Sequence, residues 1–567
     1  LDSANPGGSP LTTITAHFQN HWRQRPDQVF AHLVERGEVS QALTYATVAE
    51  GAAQYGRLFR QHGLARGAVV LIMLNHCADQ YLAFLGALLA GVTPSFMPFP
   101  SAKQDPELFW RAHRTLVARV DCAALVTYPD NRASLIANLG NPSFPVLVPE
   151  DRHGLPVEWH AVDAGAEDTA LLQHTSGTTG LKKGVALSHR AVLNQVAHYA
   201  RALRLGDGAS IVSWLPLYHD MGLIACFLMP LILGVPVVVI DAFEWIVRPG
   251  ILFAMIERFR ATHLWMPNFA FQHLSRHHET IARHDLRSVQ AFIDCSEPCR
   301  AETFADFSRR FAGAGVRPSS LQVCYAAAET TFAITQTPHG QAARVIHVDD
   351  TTLESARVAV PAEEDDGRAL LSCGVPIDGV SLRILDDAGN PLPDGRVGEV
   401  AIAGDSLFSG YFRLPEETQQ RVVGGWYRSR DLGFLQDGEL FVLGRTDDMI
   451  VSYGKNYFMH DVEHVCSQLV QLRPGRSVAF GVYNARTATQ DLVVVAELAE
   501  PADLADTAVA AALAIKRELR RRIASELMGD VQVVELVPPG WLIKTTSGKI
   551  SRTENRQKYL RAQAERR

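Results

Sequence analysis

Val69-Val70-Leu71-Ile72-Met73, followed by Tyr81 to Ala90 and Gly91, is the stretch that decides the fold class. A short, unbroken apolar run reads as a strand covered on both faces. The longer apolar stretch ended by glycine reads as a helix packed on it. Ala123-Ala124-Leu125-Val126-Thr127 supplies another strand, and Val237 to Ile240 a further one. This strand–helix–strand rhythm predicts an α/β protein with parallel-rich sheets.

From about Gly374 the pattern shortens and alternates. Val380-Ser381-Leu382-Arg383-Ile384-Leu385 and Gly398-Glu399-Val400-Ala401-Ile402 flank the turn-rich DDAGNPLPDG. Phe434 to Val442 carries Asp437-Gly438 at its centre, a hairpin signal. Residues 374–443 are therefore predicted as a mostly antiparallel β subdomain. Beyond Gly444, Val478–Val482 and Leu492–Ala496 read as strands. Ala508–Leu527 reads as an amphipathic helix bearing Lys516, Arg517, Arg520, Arg521 and Arg522. That basic row reads as a solvated helix face, with a docking face for an acidic partner as the alternative. The expected division is 1–445, two α/β subdomains plus the β subdomain, and 446–567, a small, mobile α+β domain.

Composition sets outer bounds. The 567 residues leave room for three to four structural units at roughly 150 residues each. Lys plus Arg number 54 and Asp plus Glu 61, and the net charge of −7 argues against a nucleic-acid-coating protein. With 47% hydrophobic and 20% charged residues, a disordered or collagen-like chain is excluded. Eight scattered cysteines read as reduced thiols in a cytoplasmic protein. Cys295 and Cys299 lack a second pair at zinc spacing, so no zinc site is expected. The opening LDSANPGGSP has neither a basic nor an apolar leader region. A start at Leu1 fits a trimmed chain or a module of a longer polypeptide. Ile224 to Ile240 is apolar but falls short of the ~20 residues of a spanning helix. Pro230, Gly234 and Pro236 break it, so a core helix and a core strand are expected, not a membrane span.

Thr175-Ser176-Gly177-Thr178-Thr179-Gly180-Leu181-Lys182-Lys183-Gly184 is the strongest chemical signal. Glycines and hydroxyl side chains at this density offer N–H and O–H donors and close approach to a phosphate chain, and Lys183 adds charge. The spacing does not fit the Walker A pattern, and neither a dinucleotide G-x-G-x-x-G nor a G-x-S-x-G elbow is present. His277, His278 and His284 read as an exposed helix face rather than metal ligands.

The decapeptide resembles the phosphate loop of the adenylate-forming superfamily of acyl-CoA synthetases, peptide-synthetase adenylation domains, luciferases and fatty acyl-AMP ligases. Four further stretches resemble its motifs in order: Tyr325-Ala326-Ala327-Ala328-Glu329-Thr330, Ser429-Arg430-Asp431-Leu432-Gly433, Gly444-Arg445-Thr446-Asp447-Asp448 and Lys544 to Ile550. Ala326 and Arg430 stand where the family usually has glycine. Trp214 to Leu223 (with His219, Asp220 and Met221), Met266 to Phe271 (with Asn268 and Phe269), and Asp294-Cys295-Ser296-Glu297-Pro298 resemble the fatty acyl-AMP ligase branch, with Cys295 in place of glycine. Gly454 to Glu463 follows the same branch. Gln341 to Leu370 holds a strand-like piece, Arg344–Val348, and an acidic run, Glu363 to Asp366. It lies where that branch carries an insertion associated with poor use of coenzyme A.

The resemblance implies roles. Thr175, Ser176, Gly177, Thr178, Thr179, Gly180 and Lys183 would hold ATP phosphates. Cys295, Ser296, Glu297, Tyr325, Ala326 and Thr330 would contact the nucleotide, with Asp431 and Arg445 at the ribose. Glu329 would hold Mg²⁺, Lys549 would be the catalytic cation, and Asp447 the hinge. His219, Asp220, Met221, Asn268 and Phe269 would line the acyl pocket. A general-base role for His219 is disfavoured, because a carboxylate nucleophile is already ionised at pH 7. The expected substrates are ATP and a fatty acid, and the acyl group is expected to pass to an acyl carrier protein. The alternatives are an acyl-CoA synthetase, an amino- or aryl-acid adenylation enzyme, and a silent scaffold.

Overall fold

The computed structural model describes residues 11–100, 106–174, 183–452, 455–484, 486–487, 489–500, 506–527, 530–545 and 549–565. Among these, the largest sheet runs Val375–Pro376, Ala333–Gln336, Leu321–Ala326, Ala291–Cys295, His263–Met266, Ile211–Ser213, Val237–Ile240, Val29–Glu35, Glu38–Thr44. Its six middle strands are parallel and both edges are antiparallel. The middle strands Ile211–Ser213, Val237–Ile240, His263–Met266 and Ala291–Cys295 are buried throughout, as helices on both faces require.

A second, parallel sheet orders Thr93–Phe96, Val69–Met73, Cys122–Thr127 and Val146–Leu147. The helix Asp79–Ala90 between its first two strands ends on Gly91 at φ 72°, a left-handed position where glycine carries no side-chain penalty. Met221–Leu228 forms a π-helical segment continued by the α-helix Met229–Leu233 and the strand Val237–Ile240. A Cβ on Gly222 would lie 2.3 Å from the Pro216 carbonyl, so this turn packs directly on the loop before it. No helix among the described residues is long and apolar enough to cross a membrane.

The β subdomain is antiparallel, with Val380–Leu385, Gly398–Gly404, Trp426–Gln436 and Glu439–Arg445 in sequence across it. Its last hairpin turns at Asp437 and Gly438, both at positive φ, as a tight primed turn demands. The interlude at 341–370 is not a bare loop. Val345–Val348 pairs with Arg368–Leu371, and the helix Asp350–Ala356 lies between them. Val348, Leu353 and Leu370 pack with Phe434 and Phe441, and that apolar contact is what holds a polar-looking segment in place.

After Met449 the apolar contacts regroup. Ile450, Val462, Val494, Leu519 and Ile523 form one cluster, and Val478, Val493, Val537 and Tyr559 another. They join the sheet Leu472–Asn484, Thr489–Leu498, Val533–Val537 to the helices Met459–Ser467, Asp506–Leu527 and Arg552–Glu565. Ion pairs cross between this unit and the rest. Arg300 and Arg368 both donate to Asp461, at 3.0 and 2.8 Å, and His464 Nε2 lies 3.0 Å from Glu302. Burial would raise the Asp461 carboxyl, but His460 and the two guanidinium groups outweigh it and hold it well below the usual range.

Candidate active site

Of the sequence-predicted residues, Asn268, Phe269, Cys295, Ser296, Glu297, Tyr325 and Ala326 lie at or just past the carboxyl ends of parallel strands, where open α/β sheets bind ligands. Ala291–Cys295 ends at Cys295, and the chain turns at Ser296 with φ 70°. Cys295 pairs in register with Cys324 of the next strand, and its buried thiol is held up by the hydrogen bond to Cys324 and by desolvation. An extended strand residue needs no glycine here. Glu297 accepts from the Phe269 N–H at 3.1 Å, tying this strand end to the start of the helix Asn268–Arg276. Leu321–Ala326 ends beside it, and Ala326 shows no positive φ, so the alanine fits without strain.

Asp431 lies on Trp426–Gln436 and is almost fully buried. Tyr325 donates to one carboxylate oxygen at 2.5 Å and Arg445 Nε to the other at 3.0 Å. Burial raises its carboxyl, and the charge of Arg445 opposes that rise. Arg430, one residue before, takes φ 64°, the conformation for which glycine is favoured. Its N–H donates to Glu399 at 2.9 Å and its guanidinium to Asp447 at 2.5 Å. The residue that departs from the family pattern thus binds the predicted hinge. Asp448, the next residue, pairs with Arg552, which also grips Glu463.

Glu329 and Thr330 sit in a short 3₁₀ turn and are buried. Thr331 follows at φ 68°, a conformation a β-branched residue rarely adopts, held by its hydroxyl on the Ser406 carbonyl at 2.7 Å. Glu329 accepts from the Tyr411 hydroxyl at 2.6 Å. Lys183 lies 5.0 Å from the centre of the Tyr411 ring and pairs with Glu417. Tyr411 and Glu417 escaped the sequence reading. They are brought in from 82 and 234 positions away, and no local spacing signals that. The Glu329 side chain is a donor that fits Mg²⁺ carried on phosphates, since that ion is commonly held by one or two carboxylates plus phosphate oxygens.

Lys549 Nζ donates to the Ser296 carbonyl at 2.8 Å. Asp220 caps the π-helical segment by accepting from Met221 N–H at 2.8 Å. Burial raises the Asp220 carboxyl, and the nearby Lys549 ammonium pulls the other way while Glu329 adds to the rise. Thr175 to Gly180 lie outside the described residues. Of the proposed pocket residues, Met221 and Asn268 are buried, His219 is half-buried with its ring 5.0 Å from Tyr218, and Phe269 is 43% exposed. Trp214 and Trp245 stack at 3.8 Å behind Phe269, a rigid aromatic floor. His284 stands apart, paired with Glu257 at 2.8 Å.

With the geometry in place, comparison adds relatives. The family described as AMP-binding enzyme matches residues 18–412. Medium-chain-fatty-acid–[acyl-carrier-protein] ligase JamA of Moorena producens is 32% identical over 72% of this chain and 70% of its own. Long-chain-fatty-acid–AMP ligase FadD28 of Mycobacterium tuberculosis is 31% identical over 88% of each chain. A solved structure from work on fatty acyl-adenylate ligases of E. coli and L. pneumophila superimposes with a TM-score of 0.89 at 25% identity, covering 98% of this chain and 100% of its own.

Proposed function

The chain belongs to the AMP-binding enzyme family, and from that premise we propose that it is a fatty acyl-AMP ligase that loads an acyl carrier protein. A fatty carboxylate oxygen attacks the α-phosphorus of ATP. The bond to the bridging oxygen breaks, and pyrophosphate leaves. The phosphopantetheine thiol of the carrier then attacks the acyl carbon, losing its proton, and AMP leaves. Two anions meet in the first step, so preorganised cations and N–H donors dominate its catalysis.

The observation that carries this reading is Lys549 Nζ at the Ser296 carbonyl, just past the carboxyl end of the parallel strand Ala291–Cys295. In this reading Lys549 bridges the carboxylate and the α-phosphate. Asp431, with Tyr325 and Arg445 already on it, takes the ribose hydroxyls. Lys183 leaves Glu417 for phosphate. Glu329 would hold Mg²⁺, which when bound would neutralise phosphate charge. Residues 446–567 act as a lid that turns about Asp447 between the half-reactions. All eight cysteines are free thiols, which fits a reducing, cytoplasmic setting.

Two assays run side by side test this: transfer of a fatty acyl group to a phosphopantetheinylated carrier protein, and to coenzyme A. Carrier loading that exceeds coenzyme A turnover by orders of magnitude is the expected result. Efficient acyl-CoA formation overturns the carrier assignment. Pyrophosphate exchange with amino or aryl acids alone overturns the fatty-acid assignment.

A further inference from the structure

The loop that bears Lys549 is closed at its root by one buried side chain. Asn555, on the helix Arg552–Glu565, is 0% exposed. Its Nδ2 donates to the carbonyls of Ile543 at 2.8 Å and Ser551 at 2.7 Å, and its Oδ1 accepts from the Ile543 N–H at 2.8 Å. Ile543 precedes Lys549 and Ser551 follows it, so both arms of the loop end on one amide. Ser551 N–H donates to Ile543 at 3.0 Å, and Thr545 N–H to the Lys549 carbonyl at 2.7 Å. Lys544 and Ile550 form an antiparallel bridge between them.

The amide uses both of its donor hydrogens and its acceptor. Nothing in the helix asks for asparagine. Leucine is the better helix former and would lie one turn before the buried Tyr559 on the same helix face. The loop does ask for it, because two carbonyls and one N–H converge on that point. A lysine side chain is long and loosely held, so its reach is set by where its backbone is anchored.

We propose that Asn555 is a positioning residue for the adenylation step: it fixes the root of the loop so that the Lys549 ammonium arrives at the cleft in register with Ser296. Asn555 itself touches no substrate. The inference rests on the role given to Lys549 above.

The test separates the half-reactions. In Asn555→Leu, acid-dependent ATP–pyrophosphate exchange falls in kcat by roughly 10- to 100-fold, the scale of a misplaced reacting group. KM for ATP and for the acid stays within about 3-fold, as expected when an interaction made only in the transition state is lost. Transfer of a supplied acyl-adenylate to the carrier thiol, which does not use Lys549 in this scheme, stays within about 2-fold on the same basis. In the double variant with Lys549→Ala, exchange is no slower than in Lys549→Ala alone, because the two residues act as one unit. Equal loss of both half-reactions, undiminished exchange, or additive losses in the double variant overturn the proposal. If Asn555→Leu fails to fold, Asn555→Ser must show the same split, and failure of both to fold makes Asn555 merely structural and also overturns it. Unchanged exchange in Lys549→Ala instead defeats the assignment of Lys549, an outcome distinct from loss in Lys549→Ala without loss in Asn555→Leu.

Discussion

Lys549 donates through Nζ to the main-chain oxygen of Ser296 at 2.8 Å, across 253 positions of sequence. Ser296 itself sits at the carboxyl end of a parallel strand with φ 70°, so its carbonyl is turned out of the sheet ladder. A neutral carbonyl is the weaker partner for an ammonium, and an anionic oxygen arriving in the cleft makes the stronger, charge-assisted bond.

Under the role proposed for Lys549, replacing it with alanine leaves fold and ATP affinity nearly unchanged and removes a cation from where charge builds. Pyrophosphate exchange is expected to drop by ~10²–10³-fold, the range for loss of one preorganised stabilising donor. Calorimetric unfolding and nucleotide titration check the first half, and exchange kinetics the second. Normal exchange in the variant sinks the assignment.

Arg430→Gly relieves a left-handed side-chain residue, worth roughly 1 kcal/mol, and at the same time frees Asp447. Thermal stability is expected to hold or rise slightly, while limited proteolysis near 446–449 speeds up several-fold. A variant that melts markedly lower, with unaltered cleavage, contradicts the view of Arg430 as a brake on the joint.

Arg368→Ala cuts the insertion's ion pair to Asp461 but leaves Arg300 on that carboxylate. The apolar seat of the insertion on Phe434 and Phe441 stays intact. If the insertion restrains the thiol-accepting arrangement, acyl-CoA output rises several-fold with carrier loading unaltered. Comparing the two acceptors in one assay decides it.

His17, His189 and His263 are buried and His460 is half-buried, and desolvation lowers each from 6.5 to about 4. Between those values the unfolded chain binds more protons than the folded one, so stability rises with pH and is lost as pH falls from about 6.5 toward 4. Each site contributes a slope of up to about 1.4 kcal/mol per pH unit in that window. Melting temperatures from pH 7 to pH 4 should fall, and His263→Gln should flatten the decline. A wild-type profile level across the window argues against all four.

Much of this molecule was legible before folding. Uninterrupted runs such as Val69–Met73 betray strands covered on both faces, and Asp437-Gly438 betrays its hairpin, because each signal is local. Glu329, Asp431 and Lys549 were singled out by resemblance. What was not legible is everything that depends on approach from afar. The Tyr411 hydroxyl on Glu329, the Arg430 guanidinium on Asp447 and the Asn555 amide under the Lys549 loop belong to no periodicity. Within 341–370 the strand at Val345–Val348 was legible as a short apolar piece, but the seat of the segment was not, because Val348, Leu353 and Leu370 are spaced too widely to register as a pattern.

Asp448, Glu463 and Arg552 all lie beyond residue 446, so their mutual ion pairs travel together if the chain is cut there. Recombination at that seam would transplant the smaller unit as one self-bracing part. A donor sequence keeping acidic residues at 447 and 461 would find Arg430, Arg300 and Arg368 waiting on the recipient, which makes this joint a natural crossover point for building chimaeric enzymes.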